Sequence, residues 1–252
     1  MLAPWITPYP QDAGIATDPA ASLLAPSSAH WFGTDQVGRD IYTRVIFGAR
    51  VSLGITAFVL IVSVAIGLTV GLAAGFLGGK VDAVLMRITD VFLAFPALLL
   101  AVALAAVLGA SASHAAVAIA ITWWPWYARL SRAQAASIRR QGYSDAARIL
   151  GASRTRQLVR HVAPNAATPV FVQMSLDAAG IILTAATLSY LGLGAQDPIP
   201  EWGLMVSQGQ ALATTAWWVI TFPGLAILLT AVAFNFIGDG LQSALDPKRG
   251  RR

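Results

Sequence analysis

Few side chains in this 252-residue chain are of the types that catalyse reactions or hold metal ions. The chain has no cysteine, which excludes disulfides, thiolate metal sites and a cysteine nucleophile. Its three histidines, His30, His114 and His161, are far apart, and no metal-ligand spacing links them. The phosphate-binding pattern G-x-x-x-x-G-K-[ST] is absent. We therefore expect no enzyme, no metal site and no cofactor bound by this chain.

The most unusual polar residue is Asp177, which lies in a long apolar stretch. A carboxylate at the centre of a bilayer costs about 2.5–3.5 kcal/mol on insertion scales, so it should face a bundle interior or a water-filled path. It could line a pathway and contact an amine or a metal ion. It could equally be a neutral, hydrogen-bonded aspartate at an interface with a partner subunit.

A second informative segment is 143–165, with the sequence YSDAARILGASRTRQLVRHVAPN. Ser144 is a good helix N-cap, and Asp145 places a negative charge in the first turn, where the helix dipole favours it. Gly151 is a natural C-cap, and Ser153 can start a second short helix that runs until Pro164. The segment is thus predicted to form two short helices around a glycine turn.

The elements that carry these residues are predicted to be membrane helices. Hydrophobic residues make up 56% of the chain and charged residues 12%, about half the charged share of a soluble domain. A spanning helix needs about 20 predominantly apolar residues. The chain therefore predicts an all-α, polytopic transmembrane bundle with five spans, at 53–76, 91–109, 115–130, 166–190 and 217–238.

Basic residues indicate the orientation of the bundle. Fourteen of the 17 lysines and arginines fall in alternate loops and the C-terminal tail, and eight of them lie between the third and fourth predicted spans. Cytoplasmic loops are enriched in lysine and arginine. The long basic loop and the C-terminus are therefore predicted to be cytoplasmic, and this topology explains the basic charge without a nucleic-acid partner.

Two local patterns predict packing. Gly67, Gly71 and Gly75 form a small-residue stripe for a close helix contact. The aromatic run at 123–127 is interpreted as an interfacial belt with a proline kink and no ligand cage.

The segment 143–165 resembles the EAA loop of ABC-importer permeases. The matching residues are Asp145-Ala146-Ala147, Gly151 six residues after the aspartate, and Pro164 thirteen after the glycine. Aspartate replaces the usual glutamate, and Ala163 replaces the usual apolar residue before the proline.

Further strings resemble the C-type membrane subunit of the dipeptide/oligopeptide/nickel permeases, over about residues 30–248. They are HWFGTDQVGRD at 30–40 with Arg44, GARVSL at 48–53, LGLG at 191–194, PEWG at 200–203, FPG at 222–224, NFIGDG at 235–240 and ALDP at 244–247.

The resemblance implies a bundle of the type I ABC importer (MetI-like) kind in the bacterial inner membrane, forming half of a pathway for di- or oligopeptides, with nickel as the alternative substrate. It implies a homologous permease partner, an extracytoplasmic binding protein, and two cytoplasmic ATPase subunits that carry ATP-Mg. The residues that it assigns to coupling with the ATPase are Asp145, Ala146, Ala147, Gly151, Arg154 and Pro164.

The family usually begins with one further transmembrane helix, of which residues 1–6 resemble a stub. It also often carries a glutamate near Thr184-Ala185-Ala186, and this chain has none. The expected organisation is an extracytoplasmic segment (1–50), a permease domain (51–245) with a cytoplasmic coupling loop (131–165), and a basic cytoplasmic tail (246–252).

A rival function is an ion-coupled secondary transporter that uses Asp177 as its proton site. It would take up its solute in a proton gradient without an ATPase partner. An intramembrane enzyme is disfavoured because the sequence pairs no catalytic groups near a span.

Overall fold

The computed structural model describes residues 3–141 and 153–245. These residues form helices joined by short loops, and they contain no β-strand beyond an isolated bridge between Thr34 and Asp40. The prediction of an all-α fold is confirmed.

The longer helices follow short turns at Ala3–Ile6, Pro10–Ala13 and Pro19–Ala21. In chain order they are α1 (Ile41–Leu77), α2 (Gly79–Leu93), α3 (Ala97–Leu108), α4 (Ala112–Arg139), α5 (Ala163–Tyr190), α6 (Trp202–Gly209) and α7 (Trp218–Leu245). A short helix (Arg154–Gln157) and a π-helical turn (Leu158–Val162) lead into α5.

Helix α1 starts before the apolar stretch that predicted it. The Asp40 carboxylate accepts a hydrogen bond of 2.7 Å from the Thr43 backbone N–H and caps the helix at Ile41, whereas the predicted span begins at residue 53. At 37 residues the helix is about 55 Å long, longer than the roughly 30 Å hydrocarbon core of a bilayer. Its first turns therefore belong to the segment 1–50 that the sequence assigned to the outside.

The predicted span 91–109 is not one straight helix. Helices α2 and α3 meet at an angle of 84°, with the break at residues 94–96. Pro96 lacks a backbone N–H and restricts Phe95 to extended conformations, so the chain leaves the helix before the proline and restarts at Ala97. Pro125, by contrast, lies inside the continuous helix α4.

Within the described residues, three helical runs are long and apolar enough to cross a membrane: α1, the continuous run Arg154–Tyr190, and α7. The bent pair α2–α3 would make a fourth. The remaining predicted span, 115–130, lies within α4, which is about 42 Å long but more polar than the others. Since α4 packs between α1 and α5, its sequence need not be as apolar as that of a lipid-facing helix.

Close packing of α1 against α4 forms the centre of the bundle. A Cβ atom added at Gly75 would stand 2.5 Å from the Arg132 carbonyl oxygen, and one at Gly71 would overlap Ser131 Oγ and the Ala128 carbonyl oxygen. Only glycine lets the two backbones approach this closely. The predicted packing role of the glycine stripe is confirmed.

The lead-in to α5 differs from the predicted short helix ending at a proline. Ser153 caps the helix as predicted, and its Oγ accepts a hydrogen bond from the Arg156 backbone N–H. The helix then passes through the π-helical turn, in which the Ala163 N–H donates a hydrogen bond to the Leu158 carbonyl. It continues past Pro164 as α5. Because Pro164 stands in the first turn of α5, its missing N–H interrupts no hydrogen bond within α5.

Candidate functional site

Helix α4 splits its aromatic run between the bundle interior and an open cleft. Trp124 and Tyr127 are buried, and the Trp124 ring packs edge-on against Phe92 with ring centroids 5.3 Å apart. Trp126 is 56% exposed and lines the cleft together with Trp123. The interfacial-belt interpretation therefore does not hold for the two buried rings.

The cleft lies between α4 and α5 and has a volume of about 570 Å³. Aromatic, charged and amide side chains line it: Trp123, Trp126, Arg129, Leu130, Gln173 and Asp177. It thus combines apolar surface with a few polar groups, as small-molecule sites do.

Asp177 is half-buried in this cleft, on the middle turns of α5. Its Oδ1 accepts a hydrogen bond of 2.9 Å from Gln173 Nε2, one helical turn earlier. Among the described residues no lysine, arginine or histidine forms an ion pair with this carboxylate. The structure therefore places Asp177, the predicted pathway residue, in the cleft, where no described cationic side chain pairs with it.

The positive charge nearest in sequence to the aromatic run belongs to Arg129, which pairs elsewhere. Its Nη2 donates a hydrogen bond of 2.7 Å to Asp90 Oδ1, and both side chains are about half exposed. The cleft therefore holds one arginine already engaged by a carboxylate and one aspartate that is not.

The residues predicted to contact an ATPase are only partly described. Asp145, Ala146, Ala147 and Gly151 lie outside the described residues. Arg154 is exposed directly after the Ser153 cap, and Pro164 is exposed in the first turn of α5. Asp177 lies thirteen residues beyond Pro164 along α5, about 20 Å from it, so Pro164 is not part of the cleft.

Two arginines fasten the end of α4 that leads into the segment 142–152. Arg132 donates hydrogen bonds from Nε and Nη2, of 2.5 and 2.6 Å, to the two carboxylate oxygens of Asp82 on α2. Arg139 Nη1 donates a bond of 2.9 Å to the Phe76 carbonyl at the end of α1. Neither contact could be predicted from the sequence, because the partners are 50 and 63 residues apart and no local pattern relates them.

At the opposite end of the bundle, a charged cluster ties the chain before α1 to the loop before α6. Arg39 donates to Asp35 at 2.8 Å and to Asp197 at 3.0 Å. Burial alone would raise the pKa of Asp197, but the hydrogen bond and charge of Arg39 outweigh it and hold that pKa below its usual value. Burial would lower the pKa of Arg39, and the two carboxylates raise it instead. The family-like string at 30–40 therefore has a structural role: it joins the chain before α1 to the loop before α6.

Glu201 fastens the same end from within the core. Its side chain is fully buried, accepts a 3.1 Å hydrogen bond from Ser52 Oγ on α1, and caps α6 through the Gly203 and Leu204 backbone N–H groups. The indole N–H of Trp202 donates to the Val45 carbonyl at 2.9 Å. This explains the string PEWG, whose structural role the sequence did not reveal.

Comparison with known proteins identifies the family. The family model described as "Binding-protein-dependent transport system inner membrane component" matches residues 67–251. The chain belongs to this family. It is accordingly a multi-pass component of the inner membrane and a transport subunit, not an enzyme.

Relatives cover almost the whole chain. It is 47% identical over 99% of its length to the probable D,D-dipeptide transport system permease protein DdpC of Escherichia coli K12, of which it covers 83%. It is 45% identical over 92% of its length to the dipeptide transport system permease protein DppC of Alkalihalophilus pseudofirmus, covering 76% of that protein. A glutathione transport system permease protein, GsiD of Pectobacterium atrosepticum, is 45% identical over 88% of the chain and is covered over 74%.

Solved structures confirm the predicted bundle type. A chain of the MetNI methionine ABC transporter in an inward-facing conformation matches with a TM-score of 0.68 at 18% identity, over 82% of this chain and 98% of that one. A second match, to an amino acid ABC transporter, has a TM-score of 0.61 at 15% identity, over 81% of this chain and 95% of that one. At these identities the likeness concerns the fold alone.

Proposed function

We propose that this chain is the membrane permease subunit of an ATP-driven importer of short peptides and forms half of its translocation pathway. The observation that carries the proposal is the 47% and 45% identity, over nearly the full chain, to permeases named for D,D-dipeptide and dipeptide transport. The other half of the pathway is a homologous permease, two ATPase subunits that bind ATP-Mg supply the energy, and an extracytoplasmic binding protein delivers the peptide.

The segment 143–165 is the proposed contact with the ATPase subunits. In this proposal Asp145, Ala146, Ala147, Gly151, Arg154 and Pro164 form or border the helix that docks into the ATPase. Long helices flank this segment on both sides. Helix α4 ends at Arg139, and the run from Arg154 continues without a break into α5. A rigid-body movement of the docked segment would therefore reach both walls of the cleft.

The proposed orientation places this segment and the C-terminus in the cytoplasm. Fourteen of the 17 basic residues support it under the positive-inside rule. The charged cluster around Arg39 then lies on the outer side, together with residues 1–40.

Reconstitution tests the function. The chain is assembled in proteoliposomes with its partner permease, both ATPases and the binding protein, and uptake of a labelled dipeptide and of Ni²⁺ is measured with ATP or with a proton gradient alone. We expect dipeptide uptake that requires ATP. Uptake of Ni²⁺ alone would overturn the peptide substrate, and uptake driven by the gradient without ATPases would support the rival secondary transporter.

The coupling segment is tested in the same system. Gly151→Asp should abolish uptake and uncouple ATP hydrolysis from the loaded binding protein, while the complex still inserts and assembles. Normal uptake by a stably assembled Gly151→Asp complex would remove the proposed coupling role.

A further inference from the structure

Asp177 places a carboxylate in a membrane helix, and no cationic side chain in the described ranges forms an ion pair with it. Gln173 and the buried Tyr127 hydroxyl are neutral donors beside this carboxylate, and the arginine that lines the cleft, Arg129, is engaged by Asp90. A carboxylate in such surroundings is stabilised by pairing with a cation. The cleft of about 570 Å³ leaves room for that cation to come from a ligand.

The wall beside Asp177 is aromatic, and α5 is shaped to receive it. A Cβ atom added at Gly180 would lie 3.5 Å from Cζ2 of the Trp123 ring, so the indole packs onto α5 less than one turn beyond Asp177. Trp126, one turn further along α4, presents its half-exposed ring to the same cleft. The faces of tryptophan rings attract cations, most strongly where water is partly excluded.

The donor set favours an organic ammonium group over a metal ion. A divalent metal needs several oxygen, nitrogen or sulfur ligands. Among the described residues, Asp177 is the only carboxylate that lines the cleft, and they contain no group of three or more His, Cys, Asp or Glu residues suited to a metal. One carboxylate beside two indole rings is the arrangement that suits an alkylammonium ion.

We propose that Asp177, Trp123 and Trp126 form a binding site for the protonated amino terminus of a peptide in transit. The carboxylate pairs with the ammonium group, the indoles contact it by cation–π interaction, and Gln173 holds the carboxylate in place. This inference rests on the proposed function and names a substrate group within it: the permease itself selects a free amino terminus, in addition to any selection by the external binding protein.

The test measures binding without the binding protein, so that its selectivity does not enter. The assembled importer in nanodiscs is titrated with dialanine and with N-acetyl-dialanine, and bound ligand is detected by saturation-transfer difference NMR, which reports millimolar affinities. Dialanine should bind at least about fivefold better than the acetylated peptide, the equivalent of roughly 1 kcal/mol for an ammonium–indole or ammonium–carboxylate contact. Equal binding of the two peptides would overturn the site.

Variants assign the preference to the residues. Asp177→Asn should remove the preference for the free amine, Asp177→Glu should retain part of it, and Trp126→Leu should weaken it. Asp239→Asn is the control, since it neutralises an exposed carboxylate on α7 that does not line the cleft and should leave the preference unchanged. If Asp177→Asn fails to assemble, the exposed Trp126→Leu variant decides the question: an unchanged preference there would refute the aromatic part of the site.

The two levels of proposal fail separately. A wild-type importer that transports no peptide under ATP would overturn the function. An importer that transports dialanine but shows the same ratio of free to acetylated binding in wild type and Asp177→Asn would overturn only the amine site.

Discussion

Arg132 on α4 donates two hydrogen bonds, of 2.5 and 2.6 Å, to the carboxylate of Asp82 on α2. This pair lies near the end of α4 that leads into the proposed coupling segment. A bidentate arginine–carboxylate pair fixes orientation as well as distance. The contact therefore joins the movement of α4 to α2, and through the bend to α3.

Asp82→Asn should lower transport more than it lowers stability. Both side chains are partly exposed, so the loss of the pair should cost no more than about 1 kcal/mol of stability. Peptide uptake and the stimulation of ATP hydrolysis by the loaded binding protein should fall about two- to fivefold, because only the more exposed Arg129–Asp90 pair then joins α2 to α4. Arg87→Gln is the control on the same helix, because Arg87 is exposed and forms no ion pair with the described carboxylates. The charge swap Asp82→Arg/Arg132→Asp should restore part of the activity. Full activity in Asp82→Asn would show that the pair transmits nothing.

Gly71→Ala should destabilise the bundle by about 1–3 kcal/mol, the usual cost of overpacking. The added methyl group would overlap Ser131 Oγ and the Ala128 carbonyl oxygen, which belong to the tightly packed helix α4. Gly54→Ala lies on the same helix with nothing within 4 Å of the new atom, so it should be neutral or stabilising by up to about 1 kcal/mol. The melting temperatures of the two purified variants in detergent compare them directly, and equal values would contradict the packing role of the stripe.

Glu201→Gln should destabilise the end of the bundle that carries the Arg39 cluster by about 1–3 kcal/mol. The buried carboxylate accepts bonds from Ser52, Gly203 and Leu204, whereas an amide has one acceptor oxygen and must place its NH₂ group among these donors. Ser207→Ala removes a single neutral bond to the Tyr190 carbonyl and should have a smaller effect. Unfolding in a denaturant series measures the stability of both variants. A Glu201→Gln variant as stable as Ser207→Ala would contradict the role of Glu201 in joining α6 to α1.

Asp197 should contribute stability that depends on pH. Because Arg39 holds the folded-state pKa of Asp197 below its unfolded value, the contribution is fully present above about pH 4 and is lost as the pH falls through the folded-state pKa. The melting temperature of wild type should exceed that of Asp197→Asn at neutral pH, and the difference should shrink below about pH 4. A difference that stays constant into acid would contradict the ion pair with Arg39.

Several features of this fold could be predicted because they depend on local sequence. The apolar stretches identify the spans, since about 20 apolar residues are what a bilayer requires of any helix. The Ser153 cap and the stripe at Gly67, Gly71 and Gly75 follow from spacing within a few turns. The EAA-like string together with the strings at 30–53 and 191–247 predicted the family.

The prolines did not predict where helices break, because the effect of a proline depends on the helices packed around it. Pro96 breaks the chain between α2 and α3, whereas Pro125 and Pro223 lie inside continuous helices. Neighbouring helices can satisfy the carbonyl that a proline leaves free, and the sequence does not show which neighbours are present.

By itself the sequence determined the solvent, the helical class and the family of this protein, because each follows from residue type and short-range spacing. Only the tertiary structure decided that Asp177 meets the Trp123 and Trp126 wall, that Asp82 meets Arg132, and that Glu201 meets Ser52. These partners are tens to more than a hundred residues apart. Their meeting depends on how the helices pack, and the α1–α4 contact at the glycine stripe sets that packing.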